Sequence, residues 1–289
     1  MDRSDIAGLS APRAIRLHYG ELDTPGPQNA SAAYNETVPP ALADDREPGL
    51  VQPVEGMNMG KKGDGYGSED HFLTYRKAAA ADLDARLLAA TGLGGTLLWV
   101  YPQLDQPEME EPKGIAFLPQ QALRDEWKKF WPQTGNQQRW DGVARVGDEW
   151  LLMEAKANIP EFVGSPCGAS FKKPAEGKRS SRQKIERALN HTKQALEVHR
   201  HFCWLGSYYQ YANRLAALTF LLSHKVDARL VFVHFVGDRF PDGTSCPQDQ
   251  AEWERLIEAR RITLGLPDHH PLSERIADVF LTVPLRASR

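Results

Sequence analysis

Residues 140 to 156 have a pattern that fits one local structure, a β-hairpin that ends in charged residues. The first predicted strand runs from Trp140 to Val146, and Gly147-Asp148 provides the turn. The second strand, Glu149 to Ala155, is apolar in its middle, as expected for a strand that is buried on both faces. The segment therefore predicts a pair of strands in the interior of a sheet.

Charged side chains meet at one end of this predicted hairpin. Asp141 begins the first strand, while Glu154 and Lys156 lie at the end of the second. Because side chains alternate along a strand, Glu154 and Lys156 share a face. Buried charges lose their hydration, and a divalent cation held by the two carboxylates would balance that cost. The backbone carbonyl of Ala155 is the third candidate ligand.

The pattern acid-x-Lys alone carries little information, because it occurs four times in the chain. Only Glu154-Ala155-Lys156 follows an apolar strand that is paired with a strand beginning in aspartate. The other occurrences lie in loop segments or in a predicted amphipathic helix: Glu111-Lys113, Glu126-Lys128 and Glu176-Lys178. Context therefore selects one of the four.

Asp141 followed by Glu154-Ala155-Lys156 resembles the signature of the PD-(D/E)xK nuclease superfamily. The resemblance implies an α/β fold with a restriction-endonuclease-like αβββαβ core, in which helices flank a mixed central sheet. It also implies a nuclease that uses Mg²⁺, with Mn²⁺ as an alternative, to hydrolyse DNA, with RNA not excluded. Trp140 replaces the usual proline, which many members also lack. The chain resembles uncharacterised bacterial members more than any restriction enzyme of known target.

The elements predicted around the hairpin follow the same order. A helix from Ser68, as N-cap, to about Ala90 precedes a short apolar strand, Leu97 to Tyr101. A second helix, near Pro119 to Phe130, leads into the hairpin. Further helices are predicted at 182–199, 207–223, 250–264 and 271–277, and strands at 229–236 and 279–285, the last an edge strand.

Two parts are expected along the chain of 289 residues. Residues 1–66 are rich in Pro, Gly, Ala, Asn and acidic residues, and we expect an irregular N-terminal arm there. Residues 67–289 form the nuclease-like α/β domain, with an insertion at about 104–135 and extra helices near its C-terminal end.

Two further site residues follow from the resemblance. The first helix of the superfamily often supplies a third acid, and Glu69 is the candidate, although an acid there also complements the helix dipole. Glu126 is the competing position. The helix after the Glu-x-Lys strand often carries a glutamine beside the active centre, and Gln210 matches it. Arg214, one turn later, is expected to hold a phosphate, and a polar helix rim is the alternative for both residues.

A basic segment follows the hairpin and predicts contact with the nucleic-acid backbone. Residues 171–187 hold seven basic and two acidic side chains, in a chain whose formal net charge is −3. That net charge excludes a uniformly basic surface, so binding requires a local patch. The candidate contacts are Lys172, Lys173, Lys178, Arg179, Arg182 and Lys184, together with Arg214.

Composition favours a cytoplasmic protein. The three cysteines form no CxxC pair, which favours reduced thiols. No apolar run approaches the ~20 residues of a membrane helix, so no membrane partner is expected. The oligomeric state stays open, a dimer included.

Two rival functions are compatible with parts of the pattern. A relative of the same fold can bind nucleic acid or a protein without cleaving anything. A glycoside hydrolase also uses two carboxyl groups, but that chemistry has no need of the neighbouring Lys156.

Overall fold

A computed structural model of the chain describes residues 65–135, 137–169 and 180–283. Nearly all of the predicted N-terminal arm thus lies outside the described residues. A short 3-10 helix, Ser273–Arg275, precedes the last strand. The helices and strands are, in chain order, α1 (Ser68–Ala78), α2 (Ala80–Thr91), β1 (Leu98–Tyr101), α3 (Gln121–Phe130), β2 (Gly142–Val146), β3 (Glu149–Lys156), α4 (Ile159–Val163), α5 (Ser181–Ala195), α6 (Tyr209–Ser223), β4 (Ala228–Val236), α7 (Gln250–Leu264) and β5 (Ile276–Thr282).

The five strands form one open, mixed sheet in the order β1-β2-β3-β4-β5. β1 and β3 both run antiparallel to β2, whereas β3, β4 and β5 are parallel to one another. The predicted α/β class, with a mixed central sheet flanked by helices, is confirmed. Among the described residues, no helix is long and apolar enough to cross a membrane.

The central strand β3 supplies side chains to two separate cores. Trp150 and Leu152 belong to the core that α3, α5, α6 and α7 cover. Leu151 and Met153 belong to the core that α1 and α2 cover on the opposite face. This alternation follows from the two-residue period of a strand. By the same alternation, Glu154 and Lys156 lie on the face that α6 covers.

The predicted hairpin is confirmed. β2 and β3 pair from Gly142↔Met153 to Val146↔Glu149. Gly147 occupies the turn with φ 59°, a left-handed conformation that glycine adopts at no steric cost. β2 begins two residues later than predicted, because Trp140 is buried outside the strand and its indole N–H donates to the Gly114 carbonyl at 2.7 Å.

The single helix predicted from Ser68 to about Ala90 is wrong, because it breaks at Ala79 (φ −140°, ψ 39°). The break allows Phe72 of α1 and Leu83 and Leu87 of α2 all to be buried in one core against the sheet. Ser68 is also not the N-cap. Gly67 occupies that position, and the Ser68 hydroxyl donates to Glu161 instead.

The helix predicted at 271–277 is also wrong. Only Ser273–Arg275 forms a 3-10 turn, and Ile276 already pairs with Leu230 of β4. The segment leads into a strand instead of forming a helix, because Ile276 pairs with β4 and Arg275 forms an ion pair with Glu149 at 2.5 Å. The predicted edge strand therefore exists but begins three residues earlier, at Ile276.

Candidate functional site

The β2–β3 hairpin places the three signature residues at one end of the sheet. Asp141 directly precedes β2, and Glu154 and Lys156 end β3. The Asp141 Oδ2 atom accepts a hydrogen bond from the backbone N–H of Ala155 at 2.7 Å. Lys156 Nζ donates to Glu154 Oε1 at 2.6 Å. Asp141 is therefore bound to the backbone between Glu154 and Lys156, and the side chains of these two residues are bound to each other.

Both oxygens of the buried Glu154 carboxylate are bound by cationic side chains. Lys156 binds Oε1, while Oε2 accepts from Arg214 Nε at 2.7 Å and lies 2.5 Å from Arg214 Nη2. Burial alone would raise the pKa of Glu154, but Arg214 and Lys156 together hold it below its usual value. Glu154 is therefore ionised and fully paired.

Arg214, which sequence reasoning assigned to a phosphate, contacts Glu154 from α6. Its other hydrogen bonds go to neutral acceptors, Asn213 Oδ1 at 2.9 Å and the Arg139 carbonyl at 2.6 Å. The guanidinium also lies 4.7 Å from the centre of the Trp140 ring. The sequence offered a signal for this role, because Arg214 is the charged residue of a largely apolar helix, where a buried charge requires a partner.

Glu161 is a buried acid of the site that sequence reasoning missed. It accepts hydrogen bonds from the Ser68 hydroxyl and from the backbone N–H of Ala157, the latter at 3.1 Å. The signal was present as Asn158-x-x-Glu161, because Asn158 caps α4 and accepts from the Glu161 N–H at 2.8 Å. Burial raises the pKa of Glu161.

Lys156 carries its charge in spite of burial. Burial lowers the pKa of this ammonium, but the carboxylates of Glu154, Glu161 and Asp141 outweigh that effect and raise it above its usual value. Lys156 is therefore a fixed positive charge among three acids.

Asp141 is the carboxylate whose charge is least compensated. Burial, and then the negative charge of Glu154, raise the pKa of Asp141 well above its usual value. It lines a cavity of about 10 Å³ together with Glu69, Tyr101 and Glu111. Burial, and then the negative charges of Glu111, Asp141 and Glu69, raise the pKa of the Tyr101 phenol to about 12. A cation at this end of the sheet would relieve the repulsion.

The structure separates the two candidates for the third acid. Glu69 is exposed in the first turn of α1 and lines the cavity beside Asp141. Glu126 pairs with Lys129 at 2.7 Å on an exposed face of α3. Glu111, an unpredicted acid from the insertion, lies with Glu69, and its only sequence signal was the acidic character of the loop.

A groove of about 370 Å³ adjoins the small cavity and opens to solvent. It shares Glu69, Tyr101 and Glu111 with that cavity. The segment from Pro102 to Glu111, which includes the start of the insertion, forms much of its wall, and Arg139 completes it. Arg139 Nη1 lies 3.7 Å from Glu111 Oε2, so the groove carries both signs of charge.

Gln210 lies in the first turn of α6, one turn before Arg214, and is partly exposed. Its side chain approaches Gly164, the residue that ends α4. Within the part of the chain that the structure describes, no hydrogen bond joins Gln210 to Asp141, Glu154 or Lys156.

Part of the basic segment can be located. Arg182, near the start of α5, donates to Glu186 at 2.9 Å and to the Cys167 carbonyl at 3.2 Å. Lys184 donates to the Lys128 carbonyl at 3.1 Å and so bridges α5 and α3. The remaining candidates lie outside the described residues: Lys172, Lys173, Lys178 and Arg179.

The donor atoms suit a hard divalent cation such as Mg²⁺. Among the residues that the structure describes, no three His, Cys, Asp or Glu side chains are grouped as a ready metal cage. Mg²⁺ does not require such a cage, because proteins usually bind it through one or two carboxylates, retained waters and substrate phosphates. Asp141 and Glu154 supply that number of carboxylates. The types of donor atom therefore suit the ion, and both oxygens of Glu154 are bound by Lys156 and Arg214 in this structure.

Comparisons of the chain with family models, with curated proteins and with solved structures give no significant match.

Proposed function

We propose that the protein is a metal-dependent phosphodiesterase, a nuclease of the PD-(D/E)xK type that acts on DNA. The observation that carries this proposal is the convergence of Asp141 with Glu154 and Lys156. The first reaches the Ala155 N–H at 2.7 Å, and the other two are joined at 2.6 Å. Two carboxylates and one lysine at adjacent strand ends are the arrangement that the superfamily signature implies.

The order of the elements supports the same proposal. A helical segment, three antiparallel strands, further helices and a parallel strand follow one another along the chain, which corresponds to αβββαβ. The insertion between β1 and β2 and the segments after β4 are additions to that order. We therefore assign the sheet to a restriction-endonuclease-like core as part of the proposal.

The balance of charge supports a cation site. Three carboxyl groups, Asp141, Glu154 and Glu161, surround the cationic Lys156, and burial raises the pKa of both Asp141 and Glu161. Glu154 is paired and ionised, whereas burial and the charge of Glu154 disfavour the charged form of Asp141, so a cation bound beside Asp141 would favour its ionisation. In the proposed enzyme, Asp141, Glu154 and the Ala155 carbonyl hold Mg²⁺ or Mn²⁺.

The side chains around that position have separate roles in the proposal. When bound, the metal supplies Lewis acidity and a more acidic water. Lys156 holds a fixed positive charge beside the reacting phosphate, which favours the charge that develops there. Glu161 accepts hydrogen bonds from the Ala157 N–H and the Ser68 hydroxyl, and so fixes the chain directly after Lys156. Glu69 lines the cavity beside Asp141, and Gln210 would complete the site from α6. Arg182 and Lys184 of α5 would grip the DNA backbone.

A metal-dependent nicking assay tests the proposal. We expect supercoiled DNA to be cleaved with Mg²⁺ or Mn²⁺ and not with EDTA. Asp141→Asn and Lys156→Gln should each lower the rate by about 100-fold or more, the loss expected when one stabilising charge is removed. Asp148→Asn is the matched control, because Asp148 lies at the opposite end of the same hairpin and is fully exposed.

A second candidate function is a binding module that retains the fold without cleaving. The observation that favours it is that both Glu154 oxygens are already bound by Lys156 and Arg214. Binding of DNA or RNA without cleavage under any divalent metal would favour this candidate. Cleavage that Asp141→Asn abolishes and Asp148→Asn retains would exclude it.

A further inference from the structure

The paired state of Glu154 has a consequence for cation binding. The Oε2 atom of Glu154 is held by both Nε and Nη2 of Arg214, whereas Lys156 donates to Oε1. A carboxylate oxygen accepts about two hydrogen bonds, so a cation on Oε2 has to displace Arg214. A cation on Oε1 alone would lie directly beside the Lys156 ammonium.

Arg214 is the partner that is easier to displace. Lys156 lies on the same strand as Glu154, and Glu161 and Asp141 also attract it. Arg214 comes from α6, and its remaining acceptors are the uncharged Asn213 amide oxygen and the Arg139 carbonyl. Its planar guanidinium matches phosphate oxygens in a two-point geometry that an ammonium lacks.

Arg214 is buried, with its side chain only 3% exposed, directly behind the wall of the open groove. Its Nη2 atom donates at 2.6 Å to the carbonyl of Arg139, a residue that lines the open groove of about 370 Å³. Arg214 is thus one hydrogen bond away from a residue at the wall of a solvent-open channel that reaches the site.

On the basis of the proposed function, we propose that Arg214 closes the cation site in the free protein and that a phosphodiester of the substrate opens it. The phosphate oxygens accept the hydrogen bonds of the Arg214 guanidinium, so that Glu154 loses this partner. The freed Oε2 atom can then be a ligand of the cation. Cation and nucleic acid then bind cooperatively. Because such coupling is reciprocal, each ligand should raise the affinity for the other by the same factor.

Manganese binding measured by the loss of the free Mn²⁺ electron-paramagnetic-resonance signal tests the proposal without any need for turnover. The probe nucleic acid is a short phosphorothioate oligodeoxynucleotide, which resists hydrolysis. We expect this oligonucleotide to raise the Mn²⁺ affinity of the wild-type protein by about tenfold or more, within the usual range of coupling. In Arg214→Met we expect tight Mn²⁺ binding without the oligonucleotide and little further gain with it.

Two more variants make the test specific. Arg86→Met removes an arginine from an exposed pair with Asp82 on α2, and it should behave as the wild type does. Arg214→Lys keeps the charge but loses the fork, so its dependence on the oligonucleotide should be weaker than that of the wild type. If Arg214→Met does not fold, Arg214→Lys still tests the proposal. The proposal would be overturned if the oligonucleotide raised the Mn²⁺ affinity of Arg214→Lys as much as that of the wild type.

The outcomes separate this inference from the proposed function. Equal Mn²⁺ affinity of the wild type with and without the oligonucleotide would overturn the role of Arg214 while leaving a metal site in place. The same holds if Arg214→Met binds Mn²⁺ no more tightly than the wild type does. Absence of Mn²⁺ binding in every variant and condition would overturn the proposed metal-dependent function as well.

Discussion

The Arg214 Nε atom lies 2.7 Å from Glu154 Oε2, although the two residues are 60 positions apart in the chain. Their side chains are only 3% and 5% exposed. The pair joins α6 to the end of β3 and fixes the orientation of the carboxylate that the superfamily signature emphasises. Its strength affects both the folding of the sheet end and the chemistry proposed for it.

We expect Glu154→Gln to lower the free energy of unfolding by about 3 to 5 kcal/mol, as is typical when one partner of a buried ion pair is lost. The substitution keeps the shape of the side chain but leaves Lys156 and Arg214 buried without their counter-charge. Urea denaturation followed by circular dichroism measures the change. Glu258→Gln, which removes an exposed pair with Arg261 on α7, should change the stability only slightly. Similar effects of the two variants would contradict the prediction.

Simultaneous replacement of Glu154 and Arg214 should be less harmful than the two single effects predict. Glu154→Gln leaves an unpaired guanidinium, and Arg214→Met leaves a carboxylate with only Lys156, but the double variant removes both charges together. We expect the double loss to be smaller than the sum by about 0.5 to 3 kcal/mol, the usual coupling between residues in contact. The same denaturation experiment on the four proteins gives this number, and strict additivity would argue against the contact.

Local patterns in the sequence predict the hairpin and α7 well. The hairpin has a glycine turn and an apolar centre, and both features act within a few residues. The bounds of α7 match the prediction, Gln250–Leu264, because Asp249 caps its start and Gly265 takes a left-handed conformation at its end. Such signals do not depend on distant parts of the chain.

Features that depend on the assembled sheet escape local patterns. Ala79 is a good helix former, yet the chain breaks there so that α1 and α2 can both pack on the sheet. Glu111 lies in a loop without periodicity, so nothing local places it beside Glu69. The partner of Arg214 was likewise hidden, because burial makes a partner necessary without identifying it.

Leu152→Ala tests the core behind the site. Leu152 is a fully buried residue of β3, two positions before Glu154, on the face that α5 and α6 cover. Truncation leaves a cavity, and we expect a loss of about 2 to 5 kcal/mol in the free energy of unfolding. Leu98→Ala on the edge strand β1 is the control, because Leu98 is 61% exposed. Chemical denaturation of both variants measures the difference, and equal stabilities would contradict this description of the core.

The pH dependence of stability should report on Asp238, a buried carboxylate after β4. Burial raises its pKa, but His71 and the N–H groups of Gly67 and Arg239 outweigh that effect and lower it below its usual value. Because the folded pKa lies below the unfolded value of about 3.9, the stabilisation is complete above that value and is lost as the pH falls through the folded pKa. We therefore expect Asp238→Asn to be less stable than the wild type at neutral pH by about 1.5 to 3 kcal/mol, the range for a hydrogen bond to a charged group. The difference should begin to shrink below about pH 4, where the carboxylate of the unfolded chain becomes protonated, and should be lost below the folded pKa, where the folded carboxyl group is neutral as well. Other acids titrate in both proteins and cancel in this comparison, which urea denaturation at several pH values provides. A difference that stays constant from pH 7 to the acid range would show that the charge of Asp238 does not stabilise the fold.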